Sequence, residues 1–261
     1  MDLEKYKRQT ARLDISDLDL DSFRTDPLPP EALRCLRYMH DVENHTVCYL
    51  RDLLVTPAHQ DPDITSFLTF WNFEEYWHGE AIAAVLEAHG EPVGGRLAVM
   101  RSRLGWKDRL RPFIHLLGST FAGESFLAIH MTWGAINEWT TQAGYAQLAK
   151  RANNPVLSEL LRRIMKQEGR HIDFYAAEAN RRLATDKRAQ RLTRAALRRF
   201  WGPVGSTVMP EEEVEFMAAY LFEGDEGRSM ADRIDRRITR LPGLGDLRLL
   251  GRSVDKLAVA A

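Results

Sequence analysis

Apolar residues recur at spacings of three and four along most of the chain, and no stretch alternates apolar with polar residues, so the pattern predicts helices and no strands. Pro30 stands where a helix starts, and the periodicity from there runs to Val55, before Pro57. A second helix is expected from a cap near Asp63 to His89, with Gly90 as a left-handed stop. A third is expected over about 112–152, kinked by its glycines. Asn154-Pro155 reads as a cap and first-turn proline, opening a fourth helix that reaches about Leu183. Shorter helices are expected near 187–200, 210–223 and 227–240, ended by Pro242. The reading is all-α: an N-terminal arm over 1–29, then one helical domain over 30–261. That domain has a core over about 30–184 and accessory helices over about 185–241.

The four long helices carry glutamates where the apolar stripe should continue. Glu43 lies among Leu36, Met39, Val47 and Leu50, and Glu75 among Leu68, Trp71, His78 and Ile82. Glu138 lies among Met131, Gly134, Thr141 and Tyr145, and Glu168 among Leu161, Ile164, His171 and Tyr175. Antiparallel helices joined by short loops bring Glu43 level with Glu75, and Glu138 level with Glu168. Glu124 also sits on an apolar stripe, but it is about 21 Å further along the helix and is rejected as a ligand. Glu80 and Glu87 fall on another face and read as solvated. Each of Glu75 and Glu168 is followed three residues later by a histidine, His78 and His171.

Four carboxylates in one core are tolerable only with cations, because each buried unpaired charge costs several kcal/mol. Two divalent ions neutralise four carboxylates, and two neutral imidazoles complete the set. One Glu from each of two helices, with Glu-x-x-His from each of two more, is the di-iron carboxylate pattern of ferritin-like bundles. Glu43, Glu75, His78, Glu138, Glu168 and His171 are therefore the expected ligands of two iron ions, with manganese or a mixed manganese–iron pair as the other option.

Charge and composition narrow the setting. The 261 residues carry a formal net charge of −1, ordinary for a globular chain. No apolar run reaches the roughly 18 residues that span a bilayer, and the start reads as no signal peptide. Cys35 and Cys48, expected on one helix about 20 Å apart, cannot bridge each other, which fits a reducing cytoplasm. The stretch from Asp14 to Asp26 is acidic and is expected to be an irregular, partly ordered arm. Two stretches are basic: Arg96 to Arg111, with Arg101, Arg103 and Lys107, and Arg181 to Arg199, with Arg188, Arg191 and Arg194. They are solvated faces or docking surfaces for an acidic partner. No zinc-finger spacing or RNA-binding aromatic motif points to nucleic acid.

The sequence resembles the soluble acyl-carrier-protein desaturases of the ferritin-like superfamily. The second core helix matches their Glu-Glu-x-x-His-Gly signature as Glu74-Glu75-Tyr76-Trp77-His78-Gly79, and the fourth matches Glu-x-Arg-His as Glu168-Gly169-Arg170-His171. Glu138 with Thr141 matches their third-helix ligand and the threonine beside the oxygen site. The resemblance covers roughly 30–185. It implies a homodimer that takes electrons from a ferredoxin and desaturates acyl chains on an acyl carrier protein. Two departures stand out: Gln167 replaces the aspartate that precedes the last ligand glutamate in the plant enzymes, and the chain is shorter than theirs.

Other classes share parts of the pattern. A di-iron hydroxylase or N-oxygenase acting on a small molecule or a carrier-tethered substrate uses the same ligands. A ribonucleotide reductase subunit wants a tyrosine where Ile82 stands, a storage ferritin is a shorter bundle, and a metal-free scaffold holds no iron. Gly134, one turn from Glu138, is expected to leave room for substrate on the metal face.

Overall fold

The computed structural model describes residues 3–260, with the side chains of Lys107 and of 256–260 outside the described residues. Among them it is all-helical. The helices are α1 (Leu3–Gln9), α2 (Pro30–Glu43), α3 (Thr46–Leu54), α4 (Pro62–Ala88), α5 (Arg96–Ala122) and α6 (Ser125–Ala152). They continue with α7 (Pro155–Thr185), α8 (Lys187–Phe200), α9 (Glu211–Phe222), α10 (Gly224–Thr239) and α11 (Leu250–Ala260). Among the described residues no helix is long and apolar enough to cross a membrane. The chain parts into two compact units, one of Asp2–His115 with Tyr145–Gln167, the other of Leu116–Gly144 with Glu168–Ala261.

In the first unit α4 is the central element and packs chiefly on α2. Phe67, Leu68, Trp71, Ile82 and Leu86 of α4 are buried with Cys35, Leu36 and Met39 of α2. Fully burying such a side chain is worth about 1.5–3 kcal/mol. The cap of α4 is Asp61, not Asp63: its carboxylate accepts from the amides of Asp63 and Ile64 at 3.1 and 3.2 Å. Asn154 caps α7 as expected, accepting from the amide of Leu157 at 3.0 Å.

Two expectations in this unit need correction. The helix predicted from Pro30 to Val55 is two helices, because α2 stops at Glu43 and the chain turns at Asn44-His45. Cys35 and Cys48 thus lie on different helices, both as free thiols. The acidic stretch is partly ordered, with a 3₁₀ turn over Leu20–Arg24, and α1 precedes it. Tyr6 is buried against Phe67, ring centroids 5.5 Å apart, and donates to Glu74 at 3.0 Å. Arg163 donates to both carboxylate oxygens of Asp17, at 2.6 and 2.7 Å, and to the Asp14 carbonyl at 2.8 Å. That fork holds the Asp17 carboxyl down at about 2.

In the second unit α9, α10 and α11 pack together. The buried carboxylate of Asp235 on α10 accepts from the amides of Leu249, Leu250 and Gly251 at 2.9–3.0 Å, which caps the start of α11. Asp186 caps α8 in the same way through Arg188 and Ala189. The single helix predicted over 112–152 is instead α5 and α6, parted at Gly123, whose φ of 58° is left-handed. α5 also starts earlier, at Arg96, and bends at Gly105 (φ 58°, ψ −141°).

Candidate metal centre

The first unit brings together Glu43, Glu75 and His78, each at most 5% exposed. Their ligand atoms lie within 4.8 Å of one another. Glu43 is the last residue of α2, and the helix end there is built by polar groups. Thr46 Oγ1 donates to the Glu43 carbonyl at 2.6 Å, Arg101 to the Asn44 carbonyl at 2.8 Å, and Asn44 Nδ2 to the His40 carbonyl at 3.0 Å. These bonds satisfy carbonyls that a continuing helix would have used. They also turn Val47, expected in the apolar stripe, out to 47% exposure. The Glu43 carboxylate accepts from the hydroxyl of Tyr145 on α6. Gly79 explains the last letter of the Glu-Glu-x-x-His-Gly signature: a Cβ there would fall 2.1 Å from Asn44 Nδ2.

Glu75 and His78 sit one turn apart on α4, with His78 Nδ1 3.7 Å from Glu75 Oε2. On its other side the ring meets Gln167, Nε2 to Oε1 at 2.8 Å. The Gln167 amide nitrogen donates to the carbonyl of Ala11 at 3.1 Å. A carbonyl only accepts, so Ala11 fixes which way the amide faces. Its oxygen must then take a proton from His78 Nε2, which leaves Nδ1 as the lone-pair nitrogen toward Glu75. Outer contacts of this kind commonly set the tautomer of a metal-binding histidine.

The second unit repeats the chemistry. Glu138 of α6 is 6% exposed, and Glu168 and His171 of α7 are fully buried. His171 Nδ1 lies 3.0 Å from Glu168 Oε2 and 3.8 Å from Glu138 Oε2. The ligand atoms of these three again fall within 4.8 Å of one another. Each triad is two carboxylates and one imidazole, a charge of −2 that one divalent ion offsets. Oxygen donors with one imidazole suit iron, manganese or zinc, with no thiolate to favour a softer metal. These buried acidic and histidine groups can hold metal ions.

The remaining predicted residues fall into place around them. Glu124, Glu80 and Glu87 are exposed, and Thr141 is half-buried one turn past Glu138. Gly134 does not offer the space expected of it: a Cβ there would lie 2.3–2.8 Å from ring atoms of Tyr175. The aromatic ring already fills that position. Of the basic residues, Arg188 donates to the Phe121 carbonyl, Arg194 is paired with Asp246, and Arg101 serves Asn44. Arg191 and Arg103 are exposed, and the side chain of Lys107 lies outside the described residues.

Two residues beside the ligands carry no motif of their own. Tyr145 lies seven residues after Glu138, and Tyr175 seven after Glu168, so helical spacing alone marks both as neighbours of the ligand face. Asn44 is visible only as the residue after Glu43. Comparison of the chain with protein-family models, with curated proteins and with solved structures finds no match.

Proposed function

We propose that this protein is a di-iron, O2-dependent oxidoreductase of the acyl-carrier-protein desaturase type. In this reading α2, α4, α6 and α7 form a ferritin-like bundle, and the two triads are halves of one centre. One observation carries it: two buried Glu/Glu/His groups of the same composition, each with an imidazole Nδ1 turned to its carboxylates.

Bound iron would supply the oxidising power for removing hydrogen from an unactivated C–H bond, chemistry that belongs to the cofactor. The side chains hold and orient: Gln167 keeps the His78 lone pair on Nδ1, Tyr145 donates to Glu43, and burial of all six ligands keeps bulk water from them. In a desaturation, two hydrogens of the acyl chain join two protons and two electrons to reduce one O2 to two waters. A ferredoxin-type donor would bring the electrons, and an acyl carrier protein the chain. The exposed Arg191 and Arg199 of α8 suit the acidic surface of such a carrier.

The test is metal analysis of protein loaded with ferrous iron, followed by mass analysis of a carrier-tethered acyl substrate after turnover with ferredoxin. About two irons per chain and a product lighter by two hydrogens are expected. Gain of one oxygen would make it a hydroxylase on the same centre. Zero or one iron per chain would end the di-iron reading.

A further inference from the structure

α5 carries an apolar face that nothing in the metal reading uses. Trp106, Leu110, Phe113 and Ile114 are 68, 43, 62 and 62% exposed. At about 100° per residue these four positions fall within a sector roughly 100° wide. Met100 of this helix is buried instead. A contiguous face of large apolar side chains is rare on a soluble surface and marks something that covers it.

Charge says what kind of cover fits. Around this face α5 contains Arg96, Arg101, Arg103, Lys107, Arg109 and Arg111 against a single acid, Asp108. That acid is turned to Arg51, 3.1 Å away. Arg96, Arg101 and Arg111 are also held inward, by Asp41, the Asn44 carbonyl and Asp52. Arg103 and Arg109 remain exposed. By helical geometry position 109 borders the apolar sector.

A second copy of the chain seated on this face by two-fold symmetry would bring these bases against each other with no acid between them. An acidic carrier protein would pair with the bases and leave the aromatic and aliphatic row exposed. A lipid surface with anionic headgroups meets both needs at once: acyl chains for the row, phosphates for its borders.

We propose that α5 lies in the interface of anionic membrane lipid, with Trp106, Leu110, Phe113 and Ile114 as the inserted row. Arg103 and Arg109 hold the headgroups. Among the described residues no helix is long and apolar enough to cross a bilayer; this one lies on it. The bend at Gly105 starts the inserted row as a separate segment, so Arg103, ahead of the bend, need not follow its axis. This inference does not depend on the metal centre.

The test is co-sedimentation of the whole protein with vesicles of phosphatidylcholine, with and without phosphatidylglycerol. Binding is expected to the anionic vesicles and to fall with salt. Trp106→Ser with Phe113→Ser and Ile114→Ser should abolish it, at unchanged helicity and metal content. Arg103→Gln with Arg109→Gln should weaken it about 30-fold, from roughly 1 kcal/mol per basic residue at an anionic surface. Should the serine variant fold poorly, loss of binding in the arginine pair alone keeps the test sharp. Equal binding by wild type and both variants would overturn the proposal, as would no vesicle binding at low salt. So would a dimer, seen by light scattering, that the serine variant dissociates, or an acidic carrier protein that binds this face in place of vesicles.

Discussion

Gln167 stands between His78 and the carbonyl of Ala11, accepting from one and donating to the other at 2.8 and 3.1 Å. A residue of the N-terminal arm thereby sets the protonation pattern of a candidate metal ligand through a single side chain. Gln167→Ala removes both bonds and frees the ring to rotate. The expected result is a 10- to 100-fold loss of metal affinity, the usual cost of losing a partner of this kind. Gln167→Glu should lose less, because a carboxylate still accepts from Nε2. Competition titration with ferrous or manganous ion and a chelator checks both, and equal affinity in all three proteins would remove Gln167 from the site.

Metal should stabilise the fold. Four glutamates and two histidines are buried, each triad bearing two carboxylates. A ligand that binds only the folded state, at 100 times its dissociation constant, adds about 2.7 kcal/mol. Thermal unfolding with and without ferrous iron under anaerobic conditions should show a rise in Tm, and Glu75→Ala or Glu168→Ala should erase it.

Gly134 is a packing residue. With Tyr175 already against its Cα, Gly134→Ala should cost about 1–3 kcal/mol, as overpacked cores do, and Gly134→Leu more. Urea denaturation measures this. Adding Tyr175→Ala should recover part of the loss in the alanine variant. If Gly134→Leu were as stable as wild type, the ring would have to swing aside easily.

His45 predicts an acid weakness. Burial first, and then the nearby Arg111, lower its pKa from 6.5 to about 4. Burial lowers His115 as well. For a histidine depressed in the folded state, the unfolded chain takes up the proton first. The stabilisation is therefore complete above pH 6.5 and drains away as pH falls toward 4. Tm of metal-free protein should drop over that window, and His45→Gln should flatten the drop. An unchanged slope in the variant would assign the acid sensitivity to other groups.

Much of the helix pattern was legible where a local signal exists. Asn154-Pro155 announces the start of α7, and Gly90 the end of α4, because caps act through neighbouring amides. The stop after Glu43 has no glycine or proline. It is made by Arg101, distant in sequence, together with Asn44 and Thr46, so no local pattern foretells it. The buried clustering of the six candidate residues could be read because a carboxylate in an apolar stripe is costly and conspicuous. The filling of Gly134 could not: a glycine marks a close approach without saying whether ring or substrate makes it. The start of α5 was missed since its apolar face is turned outward, against the usual rule.

The arm has one more consequence, for the order in which the molecule assembles. Ala11, Asp17 and Asp26 find their partners at Gln167, Arg163 and Asn154, at sequence separations of 156, 146 and 128. During synthesis at about 5–20 residues per second these arm residues must wait many seconds for α7 to be made. Until then Tyr6 can still dock on α4. A nascent chain would hold His78 without the glutamine that orients it, so competent metal binding by the first triad should arrive late, as a property of the nearly finished fold.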